Sequence, residues 1–533
     1  MPRILDTLPS CRMRSVALLL AVAGLGGAQA PEIRSGGVVN AASRIPSVLP
    51  SGAIARGARF DILGVRLGNA TESTTVTLAS GTVSLRVPLM TVSPRRIEAR
   101  LPAEAPLGEV SLTVAVNGVA SPPLAMRVVR AGFGIFSRNG EGWGPGKVDN
   151  LVAGGARSAN GLRSAALPGQ SLVLTGTGLG PSPPEVWVGP RRAMVVSVRH
   201  GAGGSPDEIR FRLARGSPSG CFVPLQVRQA EAAPSNTVTV AIHEGGGVCQ
   251  PSEPLALVAW PGKTIGLVVL SRSVKRSGGT LDEGMAAFDR NESDDEALSP
   301  ALLIPPLGSC ATYSGSAVSA QELPASAADA LTASPRAVGR DAGRRITVAR
   351  GNRLLPVSPA PGAIGIYRKV LGEQQEGRPS RSGPLFFTPG DVVVGGEGGA
   401  DIGAFRLSIP PPVPFVWDDR SELDAVDRAK GIVLHWRPLP PGGAVLIGLT
   451  AVDVSGAAWG ACYCSAAPES GSFAIPPEML ANLPATHPAP TIPAPSLWIS
   501  YLPRGNVREF QASGLDRGLA MSLFVQLAAV QLR

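Results

Sequence analysis

Pro168-Gly169-Gln170-Ser171-Leu172-Val173-Leu174-Thr175-Gly176-Thr177-Gly178-Leu179-Gly180 decides how this chain folds. Leu172 and Leu174 alternate with residues suited to the opposite face, the period of a half-buried strand, and the glycines behind them let the chain turn. Laid over Arg56-Gly57-Ala58-Arg59-Phe60-Asp61-Ile62-Leu63-Gly64, the stretch repeats at an offset of 112 positions. At that offset Leu67-Gly68 falls on Leu179-Gly180, Ile97 on Ile209, Leu101 on Leu213 and Gly108 on Gly220. One fold used twice explains all of these coincidences together.

Further period-2 runs, Val110-Leu112-Val114-Val116 and Val238-Val240-Ile242, are bounded by Gly, Pro, Ser or Asn. Short strands of this kind bury one face of each of two sheets, so each copy is expected to be an immunoglobulin-like sandwich. The predicted fold class is all-β: two such sandwiches followed by a β-rich C-terminal region. The turn pattern at 168–180 resembles that of IPT/TIG-type immunoglobulin-like domains. In order, Gly37-Val-Val-Asn-Ala-Ala-Ser43, Gly134-Ile-Phe136, the 168–180 stretch, Gly220-Cys-Phe-Val-Pro224 and Ser235-Asn-Thr-Val238 resemble a module of secreted acidobacterial proteins, over roughly residues 36–250. That resemblance implies fold and export and brings no catalytic residues with it. The copies differ, since the first has no cysteine at the place of Cys221 and follows Gly68 with Asn-Ala-Thr where the second has Pro-Ser-Pro.

Residues 1–30 read as a secretory signal peptide: Arg3, Arg12 and Arg14 precede the apolar run Val16 to Leu25, and Ala28-Gln29-Ala30 closes it. Cleavage is expected after Ala30 or, because Pro31 follows that site, after Ala28. The later apolar stretches, near Leu255 to Leu270 and Leu519 to Leu532, are interrupted by Pro261-Gly262-Lys263 or by glutamines, so no membrane span is expected once the leader is removed. With 65 Gly, 51 Pro and 5% aromatic residues, the composition suits short strands and tight turns. The formal charge of +9 comes almost wholly from arginine, with only five lysines among 49 basic residues. That skew fits GC-rich coding, and the arginines form no dense block interleaved with aromatics, so a nucleic-acid partner is not expected.

Five cysteines remain after processing. Cys221 and Cys249 bracket the last strands of the second copy, and export favours oxidation, so they are expected to bridge. Cys310 with Cys464 is the second pairing, leaving Cys462 over. The scattered histidines and the tight Cys462-Tyr463-Cys464 spacing argue against a zinc site.

The expected organisation is signal peptide 1–30, first module 31–130, second module with an N-terminal extension 131–250, a strand-containing segment and linker 251–340, and a β-rich domain 341–533. In the last, Ile346-Thr-Val348, Val392-Val-Val394, Phe405 to Ile409, Ile432-Val-Leu434 and Val445-Leu-Ile447 read as strands and Pro476 to Pro484 as a short helix. Gly308-Ser-Cys310, Asp341-Ala-Gly343, Gly398 to Phe405, Gly471-Ser-Phe473 and Gly514-Leu-Asp516 resemble segments of other secreted β proteins.

Sequence features that imitate chemistry fail at named positions. Gly262-Lys263-Thr264 ends like a phosphate loop, but Leu257 stands where its first glycine belongs. The glycines of 176–180 precede no helix, so they read as a sandwich turn. The acidic stretch Asp289, Glu292, Asp294, Asp295 and Glu296 reads as a solvated loop, because a helix-flanked calcium loop needs Gly and Glu where Asp294 and Pro300 stand. Gly395 to Asp401 is likewise read as a hairpin turn. Asp418, Asp419, Asp424 and Asp427 are the carboxylates available for glycoside hydrolysis, and are read as a polar loop. No catalytic residue, cofactor or metal is assigned. The expectation is an exported non-catalytic binding or cell-surface scaffold protein, located in the periplasm, on the surface or outside the cell, with a carbohydrate or protein ligand. The alternative is a secreted carbohydrate-active enzyme or accessory module with its chemistry in residues 341–533.

Overall fold

The computed structural model describes residues 29–69, 71–202, 205–249, 262–292, 305–316, 337–375, 380–456, 458–486 and 495–533. Most of the expected leader, Asp294, Asp295 and Glu296, and most of the expected linker lie outside the described residues. The described chain is nearly all β, and its one α-helix is a single turn, Pro477–Leu480, where a longer one was expected up to Pro484.

The first copy packs a sheet of Glu32–Asn40, Arg59–Val65, Arg96–Arg100 and Leu89–Ser93 against a second sheet. That partner contains Ile54–Ala55, Leu124–Val129, Gly108–Val116, Thr74–Ser80 and Val83–Arg86. In the second copy Ser171–Thr177 pairs Asp207–Arg212, as Arg59–Val65 pairs Arg96–Arg100 in the first. The repeat holds to the residue: Ile62 lies opposite Ile97, and at the same offset Leu174 lies opposite Ile209. All four are fully buried, each worth about 1.5–3 kcal/mol of apolar burial. The neighbouring pair shows how the copies repack, since Phe60 faces Ala99 in one and Leu172 faces Phe211 in the other. The large ring changes strand while each pair stays buried.

The second copy turns its sheet back on itself at Arg191–Arg199. The first three residues of that strand pair Pro184–Val188, whereas Met194 to Arg199 pair Asp207–Arg212, with a bulge between Val195 and Ser197. Its two halves enclose one core of Leu172, Leu174, Val186, Ile209, Phe211 and Leu225.

The back half departs from the division expected at residue 340. One ten-stranded sheet contains Thr264–Lys275, Thr280–Asn291 and Ser309–Ser316 together with Gly443–Val452, Ala458–Ala466, Ser496–Pro503 and Arg517–Ala529. Residues on either side of the expected boundary therefore share a sheet. Thr264–Lys275 runs parallel to Arg517–Ala529, from Ile265 opposite Arg517 to Lys275 opposite Leu527. The five strands expected in this half are present, and the smaller sheet holds Ile346–Arg350, Val392–Gly396 and Phe405–Ile409. Arg517–Ala529 is covered on both faces, Leu519, Met521 and Leu523 on one side and Ala520, Phe524 and Ala528 on the other. A strand buried on both faces reads as a continuous apolar run, which is why this segment resembles a span in hydropathy. Among the described residues no helix is long and apolar enough to cross a membrane.

The cores also join across the halves. Phe222, Cys221, Cys249 and Leu162 of the second copy pack in one cluster with Tyr313, Trp498, Met521 and Leu523 of the large sheet.

Candidate functional site

At the rim of the second sandwich the chain leaves an open groove of about 750 Å³ between the 179–184 loop and the strand Arg191–Arg199. The groove follows from local sequence. Gly178 has φ +90°, and a Cβ there would lie 2.6 Å from the carbonyl oxygen of Gly132, so the turn passes a neighbouring backbone where no side chain fits. Leu179 then buries itself, and Pro181, Pro183 and Pro184 stiffen the loop beyond it. Two polar side chains, buried Gln229 and half-buried Asp207, fix it from below. Gln229 Nε2 donates to the carbonyls of Leu179 and Ser182, at 2.5 and 2.6 Å. Asp207 accepts from the backbone N–H of Leu179 at 3.0 Å and of Gly201 at 2.7 Å, tying the loop to the end of the facing strand.

That facing strand is unusual for its exposure. Met194 is 57% exposed, Val196 47% and Val198 37%. Val195 and Val198 stand opposite Phe211 and Ile209, hence on the core side of the sheet, while Met194 and Ser197 stand opposite Arg212 and Arg210 on the outer side. Beyond Ala193 no strand among the described residues pairs the far edge of Met194 to Arg199. The outer face beside it is basic. Glu208 carries a bidentate pair from Arg157, both contacts at 3.0 Å, and a second pair from Arg199 at 2.9 Å. The hydrogen-bonded Arg157 holds the Glu208 carboxyl below its usual range against the opposing effect of partial burial, and Arg199 assists. One carboxylate thus serves two guanidiniums. Arg210 and Arg212 are exposed and make no ion pair among the described residues.

The residues singled out in the sequence are dispersed. Asp419 accepts from Trp417 Nε1 at 2.6 Å and meets His435 Nδ1 at 2.9 Å. Asp418 lies 3.6 Å from Arg437, Asp424 pairs Arg276 at 2.8 Å, and Asp427 pairs Lys430 at 3.2 Å. Each carboxylate has its own partner. The backbone N–H of Ala429, then Lys430, holds Asp427 below the usual carboxylate range. Asp289 is not in a solvated loop: it sits within Thr280–Asn291, buried, and burial pushes its carboxyl up to about 6. Lys263 bonds Asp516 at 2.8 Å, and Gly395 and Gly396 end a strand that hairpins into Phe405–Ile409.

Cys221 is bonded to Cys249, and Cys310 to Cys464. The second bond joins residues directly opposite on neighbouring strands of the large sheet. Cys462 is free and buried, its Sγ 3.9 Å from that of Cys464, and burial pushes its thiol up to about 12. The three sulfurs of Cys310, Cys462 and Cys464 lie within 4.8 Å of one another. Spacing along the chain hid this cluster, which exists only because the strands pair in register. Two of the three sulfurs are consumed by the disulfide and offer no thiolate ligand.

The groove was missed by motif reading. Its signal is Ala193-Met-Val-Val-Ser-Val198, a β-branched run without Pro or an inward charge, facing the Pro181-Ser-Pro-Pro184 loop.

No curated protein matches the chain. A surface glycan-binding protein, PbSGBP-B from Prevotella bryantii, aligns at 13% identity over 40% of this chain and 42% of its own, with a TM-score of 0.15; the chain thus spans less than half of that protein. The SGBP-B of a Bacteroides ovatus mixed-linkage glucan utilization locus, in complex with a heptasaccharide, aligns at 10% identity over 76% and 79%, TM-score 0.15. Domains 5–6 of the S-layer protein SbsC align at 14% over 40% and 98%, TM-score 0.19. Superpositions this low carry no ligand across. The model of the IPT/TIG domain matches residues 43–127, so the first copy carries an IPT/TIG domain.

Proposed function

We infer that this is an exported, non-catalytic binding or surface scaffold protein whose ligand is a protein or a carbohydrate. The observation that carries this reading is the groove at the rim of the second sandwich. Its loop is held in place by buried Gln229 and half-buried Asp207, so the surface is formed before any ligand arrives. Its lining is apolar and basic, suited to holding a partner in place. Export is supported by two disulfides, which persist in oxidising compartments. The first copy, by its IPT/TIG match, and the shared core behind the second are consistent with modules that present a recognition surface on a rigid base.

The test is a panel of glycoside, ester and peptide substrates given to the purified, processed protein, beside binding measurements on polysaccharides and extracellular proteins. Binding without turnover is expected. Hydrolysis that is abolished in an Asp418→Ala/Asp427→Ala variant would overturn this reading in favour of a carbohydrate-active enzyme.

A further inference from the structure

We propose that the open edge of Met194 to Arg199 receives an extended peptide strand of a partner protein, one whose side chains alternate between apolar and acidic. This rests on the binding reading above and gives that binding an occupant.

Three observations converge on this occupant. The first is the unpaired edge. Met194 to Arg199 hydrogen-bond Asp207–Arg212 on one side and no described strand on the other, so a row of backbone N–H and C=O groups faces the groove. An incoming strand satisfies that row, and every second side chain then points to the same face. The second is what the inner face meets. Inward side chains of an added strand lie beside Val195, Val198 and the Leu179 loop, in a groove of about 750 Å³ at the margin of the core. Apolar side chains there cover valines that the sandwich leaves partly exposed. The third is what the outer face meets. Arg199 lies on the adjacent strand, and Arg210 and Arg212 lie one strand further, about 10 Å from the added backbone at two strand spacings. Extended arginine and glutamate side chains span that distance, and Glu208 is already shared between Arg157 and Arg199.

The same charges select against other occupants. A second copy of this edge can pair only over Met194 to Arg199, because Arg191 to Ala193 are held by Pro184–Val188, and in antiparallel pairing its Arg199 would lie beside Met194 on the outer face that Arg212 already occupies, like charges on one side of the seam. A neutral glycan finds no Trp, Tyr or Phe along the groove on which to stack. The edge also lacks the usual protection, with no proline and no inward charge in Met194 to Val198.

The test uses the full processed chain and fluorescent heptapeptides read by anisotropy. The probe is Glu-Val-Glu-Val-Glu-Val-Glu, compared with a block-ordered peptide of the same composition and with its lysine counterpart. The alternating acidic peptide is expected to bind at least tenfold more tightly than either. N-methylation of alternate residues is expected to abolish binding in one register and spare it in the other, which pure charge attraction does not do. Arg210→Glu/Arg212→Glu, a change confined to exposed side chains, is expected to weaken the acidic peptide at least tenfold and to improve the lysine peptide. Val198→Asp is expected to weaken all three. Equal binding of the block-ordered peptide, indifference to N-methylation, or unchanged affinity in Arg210→Glu/Arg212→Glu overturns the proposal. So does a dimer in sedimentation that Val198→Asp dissociates. If the peptide fails while another ligand binds without turnover, the strand proposal falls and the binding reading stands; substrate turnover sinks the latter.

Discussion

Removing the two disulfides separately should reveal how the halves are held, because the bonds close loops of very different length. Cys221 and Cys249 are 28 residues apart, Cys310 and Cys464 154. In the chain-entropy model the first closure is worth about 3.5 kcal/mol and the second about 5 kcal/mol, from restriction of the unfolded chain. Cys221→Ala/Cys249→Ala and Cys310→Ala/Cys464→Ala remove the same atoms from buried positions, so the difference between them isolates the loop term. For units of 150–250 residues each kcal/mol moves the midpoint by about 2–4 °C. Differential scanning calorimetry should therefore show a shift of about 7–14 °C for the shorter loop and 10–20 °C for the longer. Thiol titration supplies the control: native protein expressed without residues 1–30 should show no labelling at pH 8, because Cys462 is buried with its thiol pushed up to about 12, and denatured protein should show one thiol. A reversed order of the two shifts would refute the loop-closure reasoning, and more than one thiol in denatured, periplasmically produced protein would refute the bridges.

Asp289→Asn should stabilise the protein at neutral pH and do little in acid. Folding raises this carboxyl from 3.8 to about 6, so its stabilising contribution is complete below pH 3.8 and lost as pH rises through 6. The variant's advantage over the parent should grow between pH 3.5 and 7.5 by on the order of 3 kcal/mol, read from urea midpoints at each pH; a constant difference would show that Asp289 does not titrate there. Ile97→Ala and Ile209→Ala, equivalent positions of the repeat and both fully buried, should each cost about 2–5 kcal/mol, and a loss below 1 kcal/mol at either would mean that copy's core closes differently. Gly178→Ala combines a left-handed backbone with a 2.6 Å approach to Gly132 and should cost on the order of 1–3 kcal/mol in thermal melts; a neutral result would place the turn elsewhere.

The front half was legible because its information is local and repeated. Phe60/Ile62 and Leu172/Leu174 show period and offset together, and the structure pairs them in the same register. The back half was legible strand by strand but not as a sheet. Nothing near Ile265 in sequence announces Arg517, because parallel partners are joined by long crossovers and share no turn. The boundary expected at 340 followed composition, while the sheet follows pairing. Asp289 was misplaced because an acidic neighbourhood hides one residue that faces inward on a strand. The groove escaped a search for motifs because its features are an unused backbone edge and a missing neighbour, and its one residue signal, the unprotected run Ala193 to Val198, reads like any other strand until the pairing is known. His435 and Asp419 meet only because the bridge between Trp417 and Trp436 brings their segments together.

The parallel pairing of Thr264–Lys275 with Arg517–Ala529 has a mechanical consequence. A pull applied between the front sandwiches and the chain's last residues reaches the first strand at Thr264 and the second near Ala529, and parallel alignment puts these at opposite ends of the ladder. Such tension acts along the strands and loads the rungs from Ile265 to Lys275 in shear, all at once, where a hairpin pulled from its open end would unzip one rung at a time. Under strain the large sheet should therefore be a late element to yield, and the hairpin-built margins, such as Thr74–Ser80 with Val83–Arg86, should give way before it.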